Sequence, residues 1–353
     1  MPTPELRVEA TRGTLVESLH RVAAAVVDAE GGLIASSGDP DLVTWWRSAA
    51  KPFQALPVVQ DGAADRFQMT DAELALACAS HSSEPRHLDI VSGFMSRAGI
   101  SDQDLACGPH TPLSPAVAAL AARGSVNLTP RWSNCSGKHA AMIALARHHG
   151  WPSPGYQAAG HPVQERILSE VVRWTGVAPE HIAQAPDGCT AVCFGLPLRA
   201  MALSYARLAS SREPAARRIV SAMTSEPLLV AGTGRLCTDL MTAWNRKLVA
   251  KIGAEGIYSA ALVERGIGIA LKVEDGDMRA SGVALLEVLV QVLQRLGATE
   301  DLTRPAGEGL RRHARPPIQN SRGTVTGELR PAGALRFSDD EGGEPVPART
   351  ARG

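Results

Sequence analysis

Aromatic residues are scarce in this chain: five Phe, three Tyr and six Trp among 353 residues. A core built with so few large rings must rest on Ala, Val, Leu and Ile, packed as many small side chains rather than a few anchors. An excess of either charge is missing too, with 36 Lys+Arg against 36 Asp+Glu. Without a basic surplus to neutralise phosphates, nucleic acid is not an expected partner. No apolar run approaches the ~20 residues that cross a bilayer. The start, Met1-Pro2-Thr3-Pro4-Glu5-Leu6-Arg7, lacks the basic and apolar regions of an export signal. No membrane is therefore expected as a partner, and the expected location is the cytoplasm. Six cysteines, Cys78, Cys107, Cys135, Cys189, Cys193 and Cys237, are too few for a disulfide scaffold in a chain this long. In a reducing compartment each is a small hydrophobe, a reactive thiol or a metal ligand.

What is present is an ordinary globular composition, 44% hydrophobic and 20% charged, which excludes a disordered chain. Val22–Asp28 and Leu33–Ser37 read as strands around the turn Ala29-Glu30-Gly31-Gly32. From Ser48 the pattern becomes helical, with Phe53, Leu56 and Val59 three apart, and Pro52 must sit near the helix start or bend it. Further helices are expected over Asp71–Ala79 (capped by Thr70 or Asp71), Ser114–Ala122, Gly137–Arg147 and Val163–Thr175. Strand character returns at Lys247–Ile252 and Ile267–Val273. Asp275-Gly276-Asp277 then turns into a helix over Ala280–Leu296. Strands at both ends around a helical middle predict an α+β fold: an antiparallel sheet from N- and C-terminal strands with helices, plus a helical subdomain. The expectation is one domain over residues 1–353, with a flexible tail from about residue 337.

Polar islands interrupt the apolar texture. In Arg47-Ser48-Ala49-Ala50-Lys51, a serine and a lysine three apart share a helical face, ~5–6 Å between Cβ atoms. A neutral lysine amine in reach of a hydroxyl can serve as its base; the bland alternative is a surface pair. Ser80-His81-Ser82-Ser83-Glu84-Pro85-Arg86-His87 is either a solvated capping loop or a wall of hydrogen-bonding groups beside a reacting carbonyl. Cys135-Ser136-Gly137-Lys138-His139 and Asp187-Gly188-Cys189 could meet over a metal, or hold two buried structural thiols. His139 could be a ligand, a substrate contact or a cap. Lys251, followed two residues later by Gly253, is either an exposed strand-end lysine or an amine aimed at a ligand. Ser-x-x-Lys, then Ser-x-Ser, then Lys-x-Gly is the chain order of serine β-lactamases and penicillin-binding proteins.

Taken together, Arg47–Pro52, Cys78–Glu84, Ser133–His139, Asp187–Cys189 and the segments around Lys251–Glu255 and Ile267–Gly276 resemble the rhizobial-type, or class 3, L-asparaginases of the asparaginase II family. The resemblance covers most of the chain. It implies a serine β-lactamase/penicillin-binding-protein-like, glutaminase-like fold and hydrolysis of L-asparagine to L-aspartate and ammonia by a homodimer. It implies Ser48 as nucleophile with Lys51 as base, and Ser80 with Lys251 as a second tandem. Zinc, in a structural or substrate-orienting role, would be held by Cys135, Lys138 and Cys189. Arg47, His139 and Asp187 would contact the substrate. A glutaminase, a β-lactamase-like amidase or esterase, and a non-enzymatic zinc- or thiol-based amino-acid sensor are the alternatives.

Overall fold

The structure is a computed structural model and describes residues 5–298 and 308–341. In chain order the elements are β1 (Arg7–Arg12), β2 (Leu15–Val27), β3 (Leu33–Ser37), β4 (Val43–Trp45), α1 (Lys51–Gln60), α2 (Ala63–Arg66), α3 (Asp71–Ala77), α4 (Pro85–Ala98), α5 (Pro115–Ala122), α6 (Ser136–His149) and α7 (Pro162–Thr175). They continue as β5 (Ala183–Pro186), β6 (Val192–Pro197), α8 (Leu198–Ser210), α9 (Pro214–Ser225), α10 (Pro227–Val230), α11 (Leu236–Ala243), β7 (Leu248–Ile252), β8 (Ile257–Leu262), β9 (Ile267–Val273) and α12 (Met278–Arg295). A helix over Glu308–Ala314 precedes β10 (Pro317–Gln319), β11 (Val325–Ala332) and β12 (Arg336–Phe337).

Contacts divide the chain into two compact units. The first falls within Met1–Thr44, Leu196–Ser210 and Asp239–Gly353 and holds the main sheet, in the order β10-β11-β1-β2-β9-β8-β7. β3 pairs with the second half of β2, and β12 with β3. Every pairing in this path and its branch is antiparallel, as the strands at both ends of the sequence predict. β8 and β9 are apolar almost throughout and buried along their length, which fixes their place in the interior of the sheet. α8 lies directly on β9. Gly268 permits this, because a Cβ there would run into the backbone of Ala202 and Ala206. The turn at Asp275-Gly276-Asp277 forms as expected, and the Asp277 carboxylate caps α12 by accepting from the Arg279 N–H at 2.8 Å. Phe337 belongs to β12 and Ser338–Glu341 to a 3₁₀ turn; residues 342–353 of the expected tail lie outside the described residues.

The second unit, Trp45–Gly195 with Ser211–Thr238, is helical. Its axis is α1, buried from Lys51 to Val58 and packed by α6, α7 and α9. Pro52 stands in the first turn, where its missing N–H costs nothing. Thr70 caps α3 in a capping box with Glu73. α3 stops at Ala77, two residues before its expected end, and the next residues open into the polar loop that carries Ser80.

Glu170 on α7 ties this bundle together. Its carboxylate accepts from Arg166 at 2.7 Å, Arg173 at 2.7 Å, Trp174 Nε1 at 2.9 Å and Gln60 at 3.2 Å. Burial alone would raise its pKa, but the Arg166, Arg173 and Trp174 donors outweigh it and hold the carboxyl below the usual range. A depressed folded pKa contributes stability that is fully present above the unfolded value, ~4.3, and is lost as pH falls through the folded value. Glu170→Gln should therefore cost about 1–3 kcal/mol at pH 7 and flatten the acid limb of the stability curve. Urea unfolding from pH 7 down to pH 3 checks both; an unchanged acid limb would show that Glu170 is not the group being titrated.

Candidate active site

Arg47–Ala50 form a 3₁₀ turn that runs straight into α1. Arg47 enters it in the left-handed region, at φ 51°, a conformation of about 1–2 kcal/mol cost for a residue with a Cβ. The guanidinium is anchored nearby: its Nε donates to Asp187 Oδ1 at 2.7 Å. Ser83 (φ 57°) and Thr190 (φ 76°) are also left-handed, so three polar segments each carry a strained residue. Ser48 is half-buried, and its carbonyl accepts the Lys51 N–H. In a 3₁₀ turn residues three apart eclipse each other, which sets Ser48 and Lys51 on one side.

The Lys51 side chain is wholly buried. Its amine donates to the Ala79 carbonyl, to Ser80 Oγ at 3.1 Å and to Cys135 Sγ at 3.2 Å. Three acceptors for one buried nitrogen compensate its desolvation. Lys51 thus bridges the turn that carries Ser48, the loop that carries Ser80 and the start of α6. No hydrogen bond joins its amine to Ser48 Oγ among the described residues.

The Ser80–Ser83 loop is fixed from several sides. The Ser80 N–H donates to Val230 O, and Arg235 donates to the Ser80 carbonyl. His81 is locked in one tautomer: the Ser83 N–H donates to its Nδ1 at 3.1 Å, so Nε2 carries the hydrogen it gives to Ser136 Oγ at 2.9 Å. Burial pushes the His81 pKa far below the ordinary histidine value, and the charges of His87, Lys51 and Arg235 push it the same way. Gly137 is explained by packing, since a Cβ there would collide with the Leu76 carbonyl at the end of α3. The loop is neither solvated nor exposed; Ser80, His81, Ser82 and Ser83 are all buried.

Cys135 and Cys189 are both buried and unbridged. Lys138 Nζ donates to Cys189 Sγ at 3.0 Å, and the Cys135 thiol donates to Asn134 Oδ1 at 2.9 Å. The neighbouring Cys135 sulfur, then the Lys138 charge, outweigh burial and hold Cys189 far below its ordinary pKa; Cys135 moves the other way. Burial would lower Lys138, but Cys189, Cys135 and Asp187 outweigh it and raise its pKa. Two sulfurs and one amine therefore share a buried, charge-balanced spot, a donor set that fits a borderline-soft divalent cation. Among the described residues no group of three His, Cys, Asp or Glu side chains forms a metal site, so any ion here needs the lysine as third donor.

Asp187 Oδ1 accepts from Arg47 and from the Gly188 N–H at 2.8 Å. His139 is fully buried on α6, with Nδ1 2.5 Å from the Tyr156 hydroxyl and no hydrogen-bond partner for Nε2 among the described residues. Nothing in the sequence marks Tyr156 beyond its rarity, as one of three tyrosines. Lys251 sits on β7 in the sheet unit, wholly buried rather than exposed at a strand end, with Nζ donating to the Ile252 carbonyl at 2.7 Å. The helical unit thus gathers Arg47, Ser48, Lys51, Ser80, Cys135, Lys138, His139, Asp187 and Cys189 on its own segments.

A wholly buried lysine amine on a serine hydroxyl, next to a second, half-buried serine, is equipment for hydrolysis, and the comparison with known families agrees. A family of hydrolytic amidohydrolases matches residues 8–331. The chain belongs to it: the L-asparaginase II family. Among solved structures, two of Mglu align at 21% and 20% identity with TM-scores of 0.34 and 0.35. They cover 80% and 78% of this chain and 67% and 60% of theirs. A beta-lactamase from Mycobacterium bovis aligns at 12% identity with a TM-score of 0.29, over 78% of this chain and 89% of that one. At such TM-scores the fold is read from this chain's own topology. No curated protein matches it.

Proposed function

We propose that this asparaginase-type amidohydrolase converts L-asparagine to L-aspartate and ammonia through an acyl-enzyme on Ser48. The observation that carries the reading is the Lys51 amine, buried, placed directly after the turn that presents Ser48 and donating to Ser80 Oγ on the neighbouring loop. Ser48 Oγ attacks the side-chain amide carbon while Lys51 takes its proton, which requires a lone pair on the amine in place of one N–H. Lys51 or Ser80 then delivers a proton to the departing ammonia, and water releases aspartate from the ester. Lys251 completes the proposed catalytic set on the family resemblance alone. Asp187 would take the α-ammonium and Arg47 the α-carboxylate, their mutual pairing being a ready-made complement to a zwitterion.

Zinc is proposed at Cys135, Lys138 and Cys189. When bound it would supply a fixed positive charge that orders the segments around the substrate. Its ligands must shed protons, from the Cys135 thiol and the Lys138 ammonium, before they can coordinate. Protein purified without chelator should hold close to one zinc per chain by elemental analysis, and Cys135→Ala with Cys189→Ala should hold none. Equal zinc in the double variant would remove the assignment.

Asparagine should be preferred strongly over glutamine. With Arg47 and Asp187 fixed on separate segments, one extra methylene shifts the amide by about an ångström from Ser48, and misplacement on that scale costs ~10²-fold in rate. Ammonia release measured on both amides decides it. A glutamine kcat/KM within threefold of asparagine's would favour a glutaminase instead.

A further inference from the structure

Tyr156 is used nowhere in the scheme above, yet its hydroxyl is buried and meets His139 on one side and a backbone amide on the other. The Ala106 N–H donates to the Tyr156 oxygen at 2.9 Å, and the Ala106 peptide is itself held by Thr190 Oγ1, which donates to the Ala106 carbonyl at 3.1 Å. Gln164 Nε2 fastens the Tyr156 carbonyl at 2.8 Å. A phenol has one hydrogen, and the acceptor within reach of it is His139 Nδ1, at 2.5 Å with the rings edge to face. Burial raises the Tyr156 pKa, so the phenol keeps that hydrogen at neutral pH.

We infer that Tyr156 is a positioning residue that fixes His139 as its Nε2–H tautomer and so makes it a hydrogen-bond donor to the substrate. Two independent facts meet here. Nδ1 must accept, because Tyr156 has its hydrogen to give and its oxygen is already receiving one. Nε2 is then the protonated nitrogen, and it is the one polar atom of this fully buried ring without a hydrogen-bond partner among the described residues. Nε2 makes no hydrogen bond to the Cys189 sulfur or to any other group among the described residues. A buried N–H without an acceptor is costly, and it persists where a ligand supplies one. The ligand atom it fits is an oxygen acceptor, a carboxylate or an amide carbonyl, and not the substrate's ammonium group. The inference concerns which nitrogen holds the hydrogen of the neutral ring, not a change of charge. It rests on the proposed amino-acid amide site for what Nε2 meets, but not for the tautomer itself.

The test has two arms on the full-length protein. Nitrogen-15 NMR of the resting enzyme, with the His139 signals assigned by their loss in His139→Gln, should show Nδ1 unprotonated and Nε2 protonated. Tyr156→Phe should add the Nδ1–H form or broaden both signals. Kinetically, Tyr156→Phe should raise KM for asparagine about tenfold, the scale on which residues that orient a ligating histidine act, with a smaller change in kcat. In a His139→Gln background the same change should have no further effect on KM. A resting His139 with hydrogen on Nδ1 would overturn the inference even if the Phe variant failed to fold. An equal KM penalty in both backgrounds would overturn it as well. If asparagine is not the substrate, the kinetic arm is read with whichever amide is turned over and the NMR arm is unchanged, so the two failures are distinct.

Discussion

Ser48→Ala should give a folded protein that releases ammonia from asparagine at least ~10³-fold more slowly, as removal of a hydrolase nucleophile does. Ser48 is half-buried and its hydroxyl makes no side-chain hydrogen bond among the described residues, so the structural cost of losing it is small. The turn around it is held by other groups: the Arg47–Asp187 pair and the Lys51 N–H on the Ser48 carbonyl. A large loss of activity with an unchanged unfolding transition is the expected combination. Retention of more than a tenth of wild-type kcat/KM would mean that no more than about 1.4 kcal/mol of transition-state stabilisation depends on this hydroxyl. The nucleophile would then have to be sought elsewhere.

Lys51→Met should be the second most severe change, and it separates base from charge. Loss of a general base costs ~10²–10⁴-fold. Methionine fills a similar volume but takes the Lys51 donor away from Ala79 O, Ser80 Oγ and Cys135 Sγ, for a further stability loss of about 1–3 kcal/mol. Lys51→Arg is the informative companion, because arginine keeps the positive charge but cannot give up its proton. If Lys51 acts as a base, Lys51→Arg should be as inactive in kcat as Lys51→Met. Substantial activity in Lys51→Arg would show that a cation suffices there.

Much of the architecture was legible in the sequence because its signals are local. The Ala29–Gly32 turn, the Thr70 cap, the Asp275–Asp277 turn and the apolar stripe of α12 are set by residues a few positions apart, and each element formed where those residues place it. α4 escaped notice. Its Pro85-Arg86-His87 start continues a polar island, and its cap is Glu84, whose carboxylate also holds Thr233. β10 and β11 were hidden for a different reason. Rich in Gly, Pro and Arg, their stretch reads as coil until β1 supplies the partner that makes it sheet.

The site divides in the same way. The Ser-x-x-Lys spacing placed Ser48 and Lys51 on one side of a turn, but spacing is silent on where a long flexible side chain ends. The Lys51 amine ends on Ser80 and Cys135, 29 and 84 residues further along the chain. Tyr156 was invisible because its role lies in a hydrogen bond to His139 and another from Ala106, 50 residues away. Lys251 looked like a strand-end lysine because exposure cannot be judged from one strand, and the structure buries it completely.

The central claim, that Ser48 carries the acyl group of asparagine, is tested most directly by trapping it. Protein acid-quenched during turnover of L-asparagine, digested and examined by mass spectrometry should show an aspartyl ester on the peptide containing Ser48. The adduct should be absent from Ser48→Ala and discharged by hydroxylamine. An ester found on the Ser80 peptide instead, or ammonia release from asparagine by the Ser48→Ala protein at an undiminished rate, would contradict the account.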